Sequence, residues 1–210
     1  MATSPEIFPT QSASQPAWDV ALLFPIQGDW SENDYLALDT KRLVELVDGS
    51  LEVLPVPTIT HQLIVWFLAE TLRNFVAERK FGTVLFAPMP VRVRAKTFRE
   101  PDVVYVPAGA VINPGDKNVN AAALVMEVVS EDDRSHKRDY EEKRSDYAAA
   151  GISEYWIIDP FAQRVTVLVL EAKEYRELGH FTIGQQAISQ LLPGFAVDVS
   201  AVFAAGQTVS

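Results

Sequence analysis

Apolar and polar residues alternate along this chain in two rhythms, and the changes of rhythm divide it into elements. Around residues 43–47 every second position is apolar, Asp48-Gly49 supplies a tight turn, and residues 51–54 answer, which predicts a β-hairpin near the N-terminus. Ahead of it, Ser31 with Asp34 three positions on forms a capping-box pattern and opens a short helix through Leu38. Ile64, Phe67, Leu68, Leu72, Phe75 and Val76 recur at helical spacing, predicting a helix capped by Thr60 and running to about Lys80. Beyond Gly82 the texture becomes β: residues 83–86, 91–93 and 102–106 are short β-branched runs separated by prolines. Residues 111–120 form a loop around Asn113-Pro114-Gly115-Asp116. Residues 122–129 are a near-continuous apolar run, as a strand covered on both faces requires, and Glu127 interrupts it. Residues 135–150 form an amphipathic helix closed by Gly151. A strand at 155–158, with Tyr155 and Trp156 as core, ends at Asp159-Pro160, and 165–170 pairs with 173–178 as a second hairpin. Leu191, Leu192, Phe195, Val197 and Val199 make an apolar cluster that docks on the core. The pattern predicts an α/β fold: a mixed central β-sheet flanked by helices, with an N-terminal β-hairpin.

Composition narrows this picture. The stretch 1–25 is rich in Pro, Ser, Gln and Thr and reads as a loosely ordered lead-in, leaving 26–210 as a single domain. The absence of cysteine excludes a disulfide framework, a thiolate metal site and a cysteine nucleophile. No signal-peptide pattern or membrane-length apolar run is present, so the expectation is a soluble cytoplasmic protein without a membrane role. The formal net charge of -10 constrains function most, because proteins that grip nucleic acid usually present a basic face. Any such function needs a local basic patch or bound cations. The densest basic stretch is Arg92, Arg94, Lys96 and Arg99. Arg92 and Arg94 share one side of their strand just before Asp102 and are candidate phosphate contacts, with His136, Lys137 and Arg138 able to add to them.

The acidic residues carry the chemistry. Asp102 opens one strand, and Glu127 sits inside the most apolar one, on the face of Val125 and Val129. A carboxylate buried there is costly unless a cation, an arginine or several hydrogen bonds compensate it. Two carboxylates on neighbouring strands, with the main-chain carbonyl of Val128, suit Mg²⁺, for which Mn²⁺ can substitute. On the following helix Tyr140, Lys143 and Tyr147 share a face, and Asp139 stands one turn before the lysine. Lys143 is either a donor aimed at that centre or a surface lysine whose stem covers the tyrosines. Glu45 alternates with Leu43 and Val47, which makes it a further candidate at the centre or an edge-strand residue. His61 begins the long helix and is either a phosphate contact or a satisfied core histidine. Glu131, Asp132 and Asp133 precede a helix, where acids are favoured by its dipole, and are read as solvated.

Five ordered motifs resemble the Uma-family restriction endonucleases of the PD-(D/E)XK superfamily: Leu46-Val47-Asp48-Gly49, Pro101-Asp102-Val103-Val104, Met126-Glu127-Val128-Val129-Ser130, Asp139-Tyr140-Glu141-Glu142-Lys143 with Tyr147, and Gly151-Ile152-Ser153-Glu154-Tyr155-Trp156-Ile157-Ile158-Asp159-Pro160. The likeness spans roughly residues 30–200. It implies a restriction-endonuclease-like core, divalent-metal cleavage of DNA, and Asp102 and Glu127 as the acids of the first two catalytic motifs. The superfamily's usual lysine position, two residues after the second acid, is Val129 here. The resemblance therefore implies that Lys143 takes the role from the next helix. It also implies a homodimer, since two copies about a two-fold axis cut both strands of a duplex. The alternative is a non-catalytic nuclease-fold module that binds nucleic acid or a protein. A further option is an enzyme that uses the same cation site on another phosphodiester.

Overall fold

The computed structural model describes residues 24–207, and the expected loose segment 1–25 lies outside them up to residue 23. In chain order the elements are α1 (Glu32–Leu36), β1 (Val44–Val47), β2 (Ser50–Val53), α2 (Ile59–Arg79), β3 (Gly82–Phe86), β4 (Val91–Arg94), β5 (Thr97–Arg99), β6 (Val103–Pro107) and β7 (Leu124–Val128). A helical run follows: α3 (Asp133–Lys137), a π-helical segment (Arg138–Glu142) and α4 (Lys143–Ala149). Then come β8 (Glu154–Asp159), β9 (Arg164–Glu171), β10 (Glu174–Thr182), β11 (Gln186–Ile188), β12 (Ala196–Asp198) and α5 (Val199–Ala205).

Three sheets result. The large one has six strands in the order β10-β9-β8-β7-β6-β3, and β7–β8 is its parallel pair. Parallel neighbours need a crossover, and the helical run from Asp133 to Ala149 provides it. The alternation read from the sequence sorts β7 between two cores. Leu124, Met126 and Val128 face α2, α5 and the C-terminal segment, while Val125 faces Tyr147 of α4 and Tyr155 of β8. The four-stranded sheet has the order β2-β1-β5-β4, so β1 and its Glu45 are interior rather than at an edge. Its hairpin turns at Asp48-Gly49, both with positive φ, and the Gly49 carbonyl accepts from the amides of Gly28 and Trp30. A Cβ on Gly49 would lie 2.3 Å from the Gly28 oxygen, so this position requires glycine.

Several boundaries shift from expectation for local reasons. The first helix ends at Leu36 although its Ser31–Asp34 capping box is present. The long helix begins at Ile59 because Thr58, not Thr60, takes the extended cap conformation and its hydroxyl accepts the His61 amide at 3.1 Å. The crossover helix starts at Asp133, two residues before Ser135, because the Asp132 carboxylate caps it by accepting the Ser135 amide at 2.9 Å. The π-helical segment inside it, strand β5 and the β11–β12 pair have no counterpart in the sequence reading. The C-terminal apolar residues do pack on the core, as expected, through Leu192, Phe195, Val197 and Val199. Among the described residues no helix is long and apolar enough to cross a membrane.

Candidate active site

Strand register brings the two predicted acids together. Val103 of β6 pairs with Met126 of β7 in an antiparallel ladder, so Asp102 and Glu127 stand opposite each other one step further and share a face. Asp102 Oδ2 accepts the Val128 amide at 2.7 Å. The other side of that oxygen is 3.3 Å from His61 Nε2, which the first turn of α2 presents. Glu127 is buried in β7, and its Oε1 accepts the Tyr147 hydroxyl at 2.5 Å and lies 2.8 Å from Lys143 Nζ.

Lys143 is buried at the first residue of α4, where it faces three carboxylates: Glu127 at 2.8 Å, Glu45 at 3.3 Å and Asp139 at 3.5 Å. It is not a surface lysine. Glu45 has further partners, since Arg99 Nη1 donates to its Oε2 at 2.7 Å and the Glu100 amide to its Oε1 at 2.9 Å. Arg99 in turn donates Nε to Asp146 at 2.7 Å. A buried chain of charges therefore runs from Glu127 through Lys143, Glu45 and Arg99 to Asp146.

The charges are unevenly shared along this chain. Burial pushes the Glu45 carboxyl up, yet Lys143 and Arg99 overcome it and hold the group down at about 2. Burial pushes Glu127 up, and the charges of Asp139, Asp102 and Glu45 add to it, so a share of Lys143 leaves it well above the usual carboxylate range. Asp139 is raised for the same reason, burial first, and its Oδ1 has no hydrogen-bond partner. Burial opposes the charge on Lys143, but Glu127, Glu45 and Asp139 outweigh it and hold the ammonium protonated. Burial likewise opposes protonation of His61, whereas Asp102 and the Val128 carbonyl favour it, with a net rise.

A divalent cation fits this donor set. Mg²⁺ takes hard oxygens and keeps several waters. The Asp102 and Glu127 carboxylates and the Val128 carbonyl are such oxygens, and among the described residues no hydrogen bond is donated to Asp102 Oδ1 or Glu127 Oε2. No trio of His, Asp or Glu side chains is gathered as a ligand set among the described residues. A cation here would rest on two carboxylates, one carbonyl and water. A cleft of about 520 Å³, bordered by His61, Val129, Ser130, Glu131 and Phe161, meets the site through His61, and neither acid lines it.

The predicted phosphate contacts Arg92 and Arg94 are not brought to the centre. Glu32 takes Arg92 in a two-pronged pair at 3.0 and 2.8 Å, and Arg94 is held by Asp48 and Asp146. Arg138 is buried against Ser135 and Asp139. Two residues with clear places at the centre were not assigned to it from sequence. Tyr147 was visible only as an aromatic on the lysine's face, and Arg99 only as part of the basic run.

A family model described as "Putative restriction endonuclease", Uma2, matches residues 32–200. Among solved structures, one described as a "putative nuclease belonging to DUF820" from Anabaena variabilis ATCC 29413 shares the fold with a TM-score of 0.69 at 14% identity. The match covers 87% of this chain and 100% of that one, and the mixed sheet flanked by helices is common to both. No match is found among curated proteins.

Proposed function

The chain belongs to the Uma2 family, and from that membership we propose that it is a divalent-metal-dependent endonuclease hydrolysing DNA phosphodiester bonds at Asp102, Glu127 and Lys143. Family and nuclease-like fold support action on nucleic acid. The observation that carries the finer reading is the pair of opposed acids on β6 and β7 with Lys143 Nζ 2.8 Å from Glu127.

Asp102, Glu127 and the Val128 carbonyl would hold Mg²⁺ or Mn²⁺, which supplies electrophilic assistance at the phosphate and acidifies the attacking water. Lys143, kept protonated by its three carboxylates, acts as a donor rather than a base. It orients the water and stabilises charge developing on the phosphate oxygens. Glu45 positions Lys143 and does not reach for the cation, since Arg99 and the Glu100 amide occupy its oxygens. His61 borders the cleft and offers a second donor to the scissile phosphate. The reading includes a cytoplasmic homodimer, in which each copy cuts one strand of a duplex.

Plasmid nicking tests it. Wild-type protein with Mg²⁺ is expected to nick, while Asp102→Ala and Glu127→Ala fall to the metal-free level with an unchanged circular dichroism spectrum. Equal nicking by all three proteins, or by the wild type in chelator, would reject the reading. No nicking by any of them leaves the non-catalytic binding module in its place.

A further inference from the structure

The expected basic patch is neutralised, yet a second group of cations is not. Lys41 and Arg42 precede β1, and Lys117 lies in the long loop before β7; the three line one cavity of about 360 Å³. None of them stands in an ion pair among the described residues, in contrast to Arg92 and Arg94. Lys117 is pinned across the cavity by donating to the Leu36 carbonyl at 3.1 Å. We infer that this cavity binds a backbone phosphate of the nucleic acid being cut, flanking the scissile one, an assignment that rests on the nuclease reading.

Three observations support it. The first is location. Leu46 of β1 pairs with Phe98 of β5, so Glu100 in the cavity wall lies opposite Val44, at the end of the small sheet where the chain turns into Pro101 and Asp102. Two extended residues cover roughly 7 Å, so the wall residue Glu100 stands about that far along the chain from Asp102. The second is linkage, because the Glu100 amide holds Glu45 Oε1, the same oxygen that faces Lys143.

The third is charge, since Glu100 is the sole acid set against Lys41, Arg42 and Lys117 in the cavity lining. Its Oε1 lies 3.2 Å from the Tyr35 hydroxyl. The cavity is thus a cationic recess in a chain of net charge -10.

The test is fluorescence anisotropy with a labelled DNA duplex in Ca²⁺ buffer, across a salt series. Combined Lys41→Ala, Arg42→Ala and Lys117→Ala is expected to weaken binding at least roughly tenfold and to flatten the log–log salt slope by about one per lost contact. The conservative pair Lys41→Arg and Lys117→Arg should retain binding, and circular dichroism checks the fold of each variant. Wild-type affinity and slope in the triple alanine variant would overturn the proposal, as would lost binding with undiminished nicking. Displacement of the duplex by inorganic phosphate at matched ionic strength would overturn it too, as the mark of a site for small phosphates. Cavity-dependent binding by a wild type that never nicks would sink the nuclease reading and leave the recess as a nucleic-acid contact.

Discussion

The two ends of the buried charge chain use the same residue types to opposite effect. At the closed end Glu45 has an arginine, a lysine and an amide, and Arg99 has Glu45 and Asp146 at 2.7 Å with Glu52 at 3.6 Å. At the open end Glu127, Asp139 and Asp102 crowd around a share of one lysine, a histidine and Arg138, which reaches Asp139 alone, and they repel one another. Burial alone does not distinguish the ends, since Glu45 and Glu127 are both buried. The number of positive partners does. A carboxylate held far below its ordinary range is a brace, whereas one held above it is short of a cation.

The sharpest way to break this contrast is to remove one charge from each end. Arg99→Met leaves Glu45 and Asp146 facing each other in the interior and is expected to cost about 3–5 kcal/mol in urea denaturation. Glu127→Gln is expected to keep or raise stability in the same assay while abolishing nicking. Ionised Glu127 costs the folded state more as pH climbs past the usual carboxylate range. Loss of stability in Glu127→Gln comparable to that in Arg99→Met would erase the distinction. Next in size is the acid dependence of the closed end. Glu45 is lowered from 4.5 to about 2, so its contribution is complete above the higher value and fades as pH falls towards the lower. That contribution is about 3 kcal/mol, and the stability gap between wild type and Glu45→Gln should shrink by this order between about pH 6 and pH 2. A constant gap would show that the Glu45 charge is not what stabilises. The smallest effect belongs outside the chain: Arg92→Ala breaks an exposed pair with Glu32, is expected to cost under about 1 kcal/mol and should leave nicking unchanged.

The same contrast shows how much the sequence discloses. Glu127 was legible because a charged residue inside an apolar run violates a local pattern, and alternation alone gave its face. Asp102 and Lys143 were legible through short motifs with fixed spacing, and Glu45 through its place in a hairpin. What was not legible depends on residues far apart in the chain. Arg92 looked free because Glu32, its partner, is 60 residues away. The recess holding Lys41 and Lys117 forms only when the segments around Leu36 and Lys117, 81 residues apart, come together. Thr58 and Thr60 differ by half a helical turn, and cap geometry rather than residue type decides between them. Periodicity reports a side chain's neighbours on its own element and is silent about what crosses from another.

The π-helical segment at Arg138–Glu142 has a consequence for where the lysine comes from. A wide turn holds one residue more than an α-turn, and each added residue swings the following helix by about 100° about its axis. Lys143 and Tyr147 begin right after it, and both meet Glu127. The extra residue therefore works as an angular spacer. It aims an ammonium group from a crossover helix at the spot that Val129, two positions after the acid, faces too but cannot serve.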